Sequence, residues 1–128
     1  MTRERILVID DEVDTCDLLK GTLEQKGDFE VKTVNSGEEG LAASRSFQPA
    51  LILLDVRMPG LSGLEVLARL KSDPQTMLIP VIVLSALTDP ETIGEAVRLY
   101  TEEYLTKPVQ LVHLRATIQR VLKRARVE

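Results

Sequence analysis

The sequence predicts an α/β fold, a parallel five-stranded sheet covered by helices on both faces. Three runs, Ile6–Ile9, Leu51–Leu54 and Val81–Leu84, are apolar at every position, as strands buried on both faces must be. Between them apolar residues recur at helical spacing, so strand and helix alternate, the pattern of parallel pairing through right-handed crossovers. Each apolar run also stops abruptly on a polar residue: Asp10-Asp11, Asp55 or Ser85. The carboxyl ends of such strands are where open α/β sheets bind ligands.

The elements follow in order. After Asp10-Asp11-Glu12, residues Val13, Cys16, Leu19 and Leu23 define a first helix that breaks at Gly27. Phe29, Val31 and Thr33 alternate with Glu30 and Lys32, so the second strand has one wet face and belongs at an edge. Ser36-Gly37-Glu38-Glu39 is a capping box opening a helix to about Ser46. Beyond the Asp55 strand, Val56-Arg57-Met58-Pro59-Gly60 can only be a turn. A second capping box, Ser62-Gly63-Leu64-Glu65, starts a helix whose buried stripe is Leu64, Leu67 and Leu70. Asp89-Pro90 caps the fourth helix, with proline at its first position and Ile93, Ala96 and Val97 facing inward. Glu103 to Pro108 reads as a short fifth strand closed by proline, and the last helix buries Leu111, Leu114, Ile118 and Val121 or Leu122.

With the second and fifth strands at the edges, the flavodoxin-like order 2-1-3-4-5 fits, and its switch point lies between the strands ending at Asp10-Asp11 and Asp55. Nothing is left over for a second domain, so residues 1–128 read as one. At 44% hydrophobic and 28% charged, the composition is globular, and a net charge of -4 gives no reason to expect nucleic acid as a partner. The basic last helix (Arg115, Arg120, Lys123, Arg124, Arg126) is explained by solvation and the helix dipole. A single cysteine, Cys16, excludes an internal disulfide and fits a reducing cytoplasm. No stretch approaches the roughly 18–20 apolar residues that cross a bilayer, so no membrane partner is expected.

In this topology Asp10, Asp11, Asp55, Ser85 and Lys107 converge at the carboxyl edge of the sheet. Three carboxylates so close resist ionising together unless a cation neutralises them. A hard divalent ion with oxygen ligands answers that, and Mg²⁺ suits a shallow site of this kind. Lys107 adds a compact positive charge and Ser85 a hydroxyl, the parts that hold a transferring phosphoryl group. Asp55 is then the candidate nucleophile, forming an acyl phosphate. Taken singly, each residue has a plainer reading: a helix cap for Asp10-Asp11, an Asx turn for Asp55, a turn or cap for Ser85, a surface lysine for Lys107. It is the coincidence at four strand ends that is specific.

The sequence resembles the receiver domain of two-component response regulators over essentially its whole length. The resemblance rests on Ile9-Asp10-Asp11-Glu12, Leu54-Asp55-Val56-Arg57-Met58-Pro59-Gly60 with Gly63, Leu84-Ser85-Ala86, and Tyr104-Leu105-Thr106-Lys107-Pro108. It implies that Asp55 is the phosphoacceptor and Asp11 a direct Mg²⁺ ligand, with Asp10 acting through a bound water and the Arg57 backbone carbonyl completing the set. Ser85 and Lys107 would hold phosphoryl oxygens, Tyr104 would be the aromatic switch, and the Lys107–Pro108 bond would be cis. The implied partners are a sensor histidine kinase or histidine phosphotransfer protein upstream and an effector protein or output domain downstream. Phosphorylation would change the face of the fourth helix, fifth strand and fifth helix, through which a homodimer is possible. Such a protein catalyses only its own phosphorylation and dephosphorylation.

The rival reading is an aspartate-nucleophile phosphatase of haloacid-dehalogenase type, but that family wants an Asp-x-Asp motif after the first strand, and Asp10-Asp11 are adjacent. One departure from the receiver pattern bears on the end of the fourth helix: Tyr100-Thr101 stands where the family usually has Gly-Ala.

Overall fold

The computed structural model describes residues 3–127; positions 1, 2 and 128 of the expected domain lie outside the described residues. Strands and helices alternate as β1 (Glu4–Ile9), α1 (Val13–Glu24), β2 (Phe29–Val34), α2 (Gly37–Ser46), β3 (Leu51–Leu54), α3 (Gly63–Ser72), β4 (Val81–Ser85), α4 (Pro90–Arg98), β5 (Glu103–Thr106) and α5 (Leu111–Val127). The strands form one sheet of order β2-β1-β3-β4-β5, all pairs parallel. This is the expected topology. Among the described residues no helix is long and apolar enough to cross a membrane.

The three uniformly apolar strands supply two cores at once, because successive side chains point to opposite faces. Ile6, Val8, Leu51, Leu53, Ile82 and Leu84 pack under α1 and α5, against Cys16, Leu19, Leu23, Leu114 and Ile118. Leu7, Ile9, Ile52, Leu54, Val81 and Val83 pack on the other face with Ala43, Val66, Leu67, Leu70 and Ala96. Each large side chain so buried contributes about 1.5–3 kcal/mol. The central strands are therefore held rigidly from both sides, and so are the residues at their ends.

Ser36 and Ser62 cap their helices as expected, Ser36 Oγ accepting from Glu39 N (3.2 Å) and Ser62 Oγ from Glu65 N (3.3 Å). Each glutamate takes the serine hydroxyl (3.1 and 3.4 Å) rather than the serine N–H of a full capping box. Asp89 caps α4 through Thr92 N at 2.9 Å, with Pro90 in the first turn.

Four expectations on side-chain facing need correction. Val13 and Val97 are 56% and 61% exposed, and Ala96 is the one buried residue of α4. In α3 the stripe is Val66, Leu67 and Leu70, with Leu64 only partly covered. On β2, Phe29 and Val31 are buried as expected, but Thr33 is half-exposed and Val34 packs into the opposite core. The spacing was right in each case. The phase depended on which neighbour covers the helix or strand end.

The fourth helix ends on a left-handed residue despite lacking glycine. Tyr100 has φ of 66°, Tyr100 N bonds Val97 O (3.0 Å) and Thr101 N bonds Ala96 O (3.2 Å). Those two bonds make a Schellman motif. Tyr100 takes the conformation that glycine adopts more easily.

Candidate functional site

Main-chain hydrogen bonds between strand ends bring the site residues together. Asp10 N donates to Val34 O (3.1 Å), Asp55 N to Ile9 O (3.0 Å) and Lys107 N to Ser85 O (2.9 Å). Each residue just beyond one strand is thus tied to its neighbour strand. Asp10 and Asp55 are buried, at 3% and 5% exposure, and Asp11 is the most open of the three carboxylates. One ligand atom from each lies within 4.8 Å of the others.

Local turns aim the carboxylates. Asp10 Oδ1 accepts from Glu12 N and Asp55 Oδ1 from Arg57 N, both at 3.0 Å. Asp55 is therefore an Asx-turn residue as well as a site residue. The turn that follows can fold back because Gly63 lies against it: a Cβ on Gly63 would sit 2.2 Å from Asp55 O and 2.4 Å from Val56 Cα.

Lys107 closes the cluster from β5. Its ammonium donates to Asp10 Oδ2 (2.8 Å), Glu12 Oε1 (3.0 Å) and Asp55 Oδ2 (3.1 Å), which uses all three of its N–H groups. Desolvation works against the Lys107 charge, but these hydrogen bonds outweigh it and hold its pKa above the ordinary value. Desolvation also dominates at Asp10, whose carboxyl is raised despite its bond to Lys107. One ammonium faces four carboxylates here. The set fits a hard divalent cation: all-oxygen donors, excess negative charge, and an open basin of about 590 Å³ lined by Asp11, Glu12, Asp55, Arg57, Met58, Pro59, Ala86 and Lys107.

Residues 6–119 match the family model of the response regulator receiver domain. The chain belongs to that family. It is 35% identical to Protein RcaC of Microchaete diplosiphon over 122 residues, 95% of this chain and 19% of that protein. It is 33% identical over 124 residues to the alkaline phosphatase synthesis transcriptional regulatory protein PhoP of Bacillus subtilis, 97% of this chain and 50% of that protein. The chain thus spans half or less of the length of these relatives. A CheY-like receiver domain from Methanospirillum hungatei superposes with a TM-score of 0.90, at 27% identity and 98% coverage of both chains. The family match lends the phosphatase reading no support.

Within the receiver domain the other expected residues are less central. Ser85 is fully buried, and its hydroxyl accepts from Leu87 N at 3.2 Å. Ala86, rather than Ser85, lines the basin. Arg57 is exposed along the rim. Tyr104 is half-buried, and burial raises its phenol above the ordinary value. The Lys107–Pro108 bond is cis.

Sequence reasoning missed Glu12 as a partner of Lys107, though it stands in the quoted motif. It also missed Asn35, whose side-chain amide bonds Asp10 O at 3.0 Å. Its one signal was position: Asn35 directly follows β2, at the same sheet edge as the rest.

Proposed function

We propose that this receiver domain, taken as residues 1–128, accepts a phosphoryl group on Asp55 from a phosphohistidine. The observation that carries the reading is the placement of the Lys107 ammonium 3.1 Å from Asp55 Oδ2 and 2.8 Å from Asp10 Oδ2, beside an open basin. An Asp55 oxygen attacks phosphorus, the P–N bond breaks, and imidazole leaves, giving an acyl phosphate. Mg²⁺, held by Asp11, Asp55 and the Arg57 carbonyl with Asp10 acting through water, would supply the charge that steadies the phosphoryl oxygens. The engagement of both Asp10 oxygens by Glu12 N and Lys107 supports an indirect role for that carboxylate.

Lys107 then exchanges a carboxylate partner for a phosphoryl oxygen. Glu12 is the partner freest to yield, its side chain being 61% exposed against 4% and 6% for Asp10 and Asp55. Ser85 swings its hydroxyl from Leu87 to a second phosphoryl oxygen, and Tyr104 passes the change to the face formed by α4, β5 and α5. A cytoplasmic histidine kinase or phosphotransfer protein is the donor. The reader of that face is an effector, an output domain or a second copy of the chain, not nucleic acid. The chain promotes its own phosphorylation and dephosphorylation and turns over no separate substrate.

Acetyl phosphate with Mg²⁺ should add one acid-stable, base-labile phosphoryl group by intact mass, and Asp55→Asn should abolish it. Full labelling of that variant would overturn the assignment.

A further inference from the structure

Every polar atom of Asp10 has a protein partner. Its N–H donates to Val34 O (3.1 Å), its Oδ1 accepts from Glu12 N (3.0 Å) and its Oδ2 from Lys107 (2.8 Å). Its carbonyl accepts from two side chains, Asn35 Nδ2 at 3.0 Å and Cys16 Sγ at 3.3 Å. Cys16 comes from α1 and Asn35 from the loop after β2.

The thiol is the weaker donor of the two, so the amide carries most of the hold on this carbonyl. Asn35 also has no competing duty as the cap of α2. Ser36 fills that role, accepting from Glu39 N through its own side chain. Among the described residues, the side-chain bonds of Asn35 go to Asp10 O and, at 3.5 Å, to the Cys16 sulfur.

The geometry has a mechanical consequence. Val34 and Asn35, consecutive residues, grip Asp10 on both sides of its α-carbon: one takes its N–H, the other donates to its carbonyl. Rotation about either backbone dihedral of Asp10 breaks one of the two bonds. The gripped carbonyl belongs to the peptide that joins Asp10 to Asp11, so turning that plane would swing the Asp11 carboxylate out of register with Asp55. Partners that orient metal ligands contribute to metal affinity, because they fix the direction in which each ligand presents its donor atoms.

From this we infer that Asn35 is a positioning residue of the acidic site, holding the Asp10–Asp11 peptide so that both carboxylates are set for the cation before it arrives. The inference rests on the metal reading above and is separable from it by experiment.

Mg²⁺ affinity is measured by titration calorimetry, well below the melting temperature, for wild type, Asn35→Ala, Asn35→Asp, Asn35→His, Ser36→Ala and Asp11→Ala. Asn35→Ala should bind Mg²⁺ about 5- to 10-fold more weakly, less than the 10- to 100-fold typical of partners that touch a ligand directly. Asn35→Asp keeps the shape but sets an acceptor against an acceptor, and should weaken binding at least as much despite its added negative charge. Asn35→His, with a ring N–H at the same branch point, should recover most of the affinity. Ser36→Ala removes the neighbouring helix cap, so it should lower the melting temperature while leaving Mg²⁺ affinity within about 2-fold, because a purely structural loss does not reach Asp10.

Wild-type affinity in Asn35→Ala and Asn35→Asp would overturn the inference. So would an affinity loss in Ser36→Ala matching that of Asn35→Ala, since general loosening would then explain both. If wild type binds no Mg²⁺, or Asp11→Ala binds it equally well, the metal reading fails first and takes this inference with it.

Discussion

The Tyr104 hydroxyl donates to the carbonyl of Leu87 at 2.6 Å, which ties the ring on β5 to the loop leaving β4. Leu87 also donates its N–H to Ser85 Oγ at 3.2 Å. One residue of that loop is therefore bonded to both expected switch residues, by its N–H to one and its C=O to the other. A phosphoryl oxygen that draws the Ser85 hydroxyl away competes with the first bond. On the proposed reading, the loop that carries the second bond would then be freed, and the phosphoryl group would have the differential affinity for two states that any switch requires.

Ser85→Ala should still accept phosphate on Asp55, slowly, but lose most of the response. Beryllofluoride mimics the phosphoryl group without decaying. Amide shift changes across roughly Asp89–Tyr104 should be large in wild type and much reduced in the variant. Equal changes at equal occupancy would leave the hydroxyl a phosphate ligand without a part in transmission.

Tyr104→Phe keeps the ring and loses the bond to Leu87 O. Its labelling by acetyl phosphate should match wild type, while the stability of the unmodified protein falls by about 0.5–1.5 kcal/mol in urea melts. The same beryllofluoride shifts should shrink in α4 yet persist around Asp55.

Tyr100 offers a stability gain that its exposure makes clean. It is 77% exposed and left-handed, with φ of 66°, a conformation costing an L-residue roughly 1–2 kcal/mol. Glycine avoids that cost but gives back about 0.5–1 kcal/mol in unfolded-state entropy. Tyr100→Gly should therefore raise the melting temperature by about 2–4 °C. Tyr100→Val, β-branched at the same φ, should lower it.

What could be read in the sequence follows from what sequence patterns encode. The doubly buried strands were legible because nothing but apolar residues fits between two helical layers. The serine caps of α2 and α3 were legible because a cap is local. Asp55, Ser85 and Lys107 were legible because each ends a strand. The inward face of α4 was not. Its apolar residues have helical spacing, but only Ala96 is buried, and spacing does not say which face is covered. The Glu12–Lys107 and Asn35–Asp10 bonds join residues 95 and 25 apart in sequence, and no periodicity reports on such pairs.

The acidic site should make Mg²⁺ stabilisation depend on pH. Burial raises the Asp10 carboxyl above its ordinary value of 3.8. The folded chain thus takes up this proton more readily than the unfolded chain. That contribution to metal-free stability is fully present below 3.8 and is lost as pH rises through the raised pKa. Metal works in the opposite direction, since its ligands and their partners act as carboxylates. The rise in melting temperature with millimolar Mg²⁺ should be clear at about pH 7 and shrink steadily towards about pH 4. A pH-independent increment in scanning calorimetry would place the bound ion elsewhere.

At Gly63, α3 begins against the Asp55 turn. Its N–H donates to Val56 O at 2.9 Å, and an added Cβ would lie 2.2 Å from Asp55 O. The obstructing atoms are backbone, so no side chain can rotate away to make room. Gly63→Ala must push α3 outward or move the Asp55–Val56 peptide, and overpacking of this kind costs about 1–3 kcal/mol or more. The peptide is the softer of the two, because α3 is pinned by Val66, Leu67 and Leu70 in the core. The variant should then be destabilised in urea by about that amount. Its rate of labelling by acetyl phosphate should fall further than that of a core variant such as Leu70→Val, made to be equally unstable. If the two variants lose labelling in step with stability alone, Gly63 serves packing and does not hold Asp55 in place.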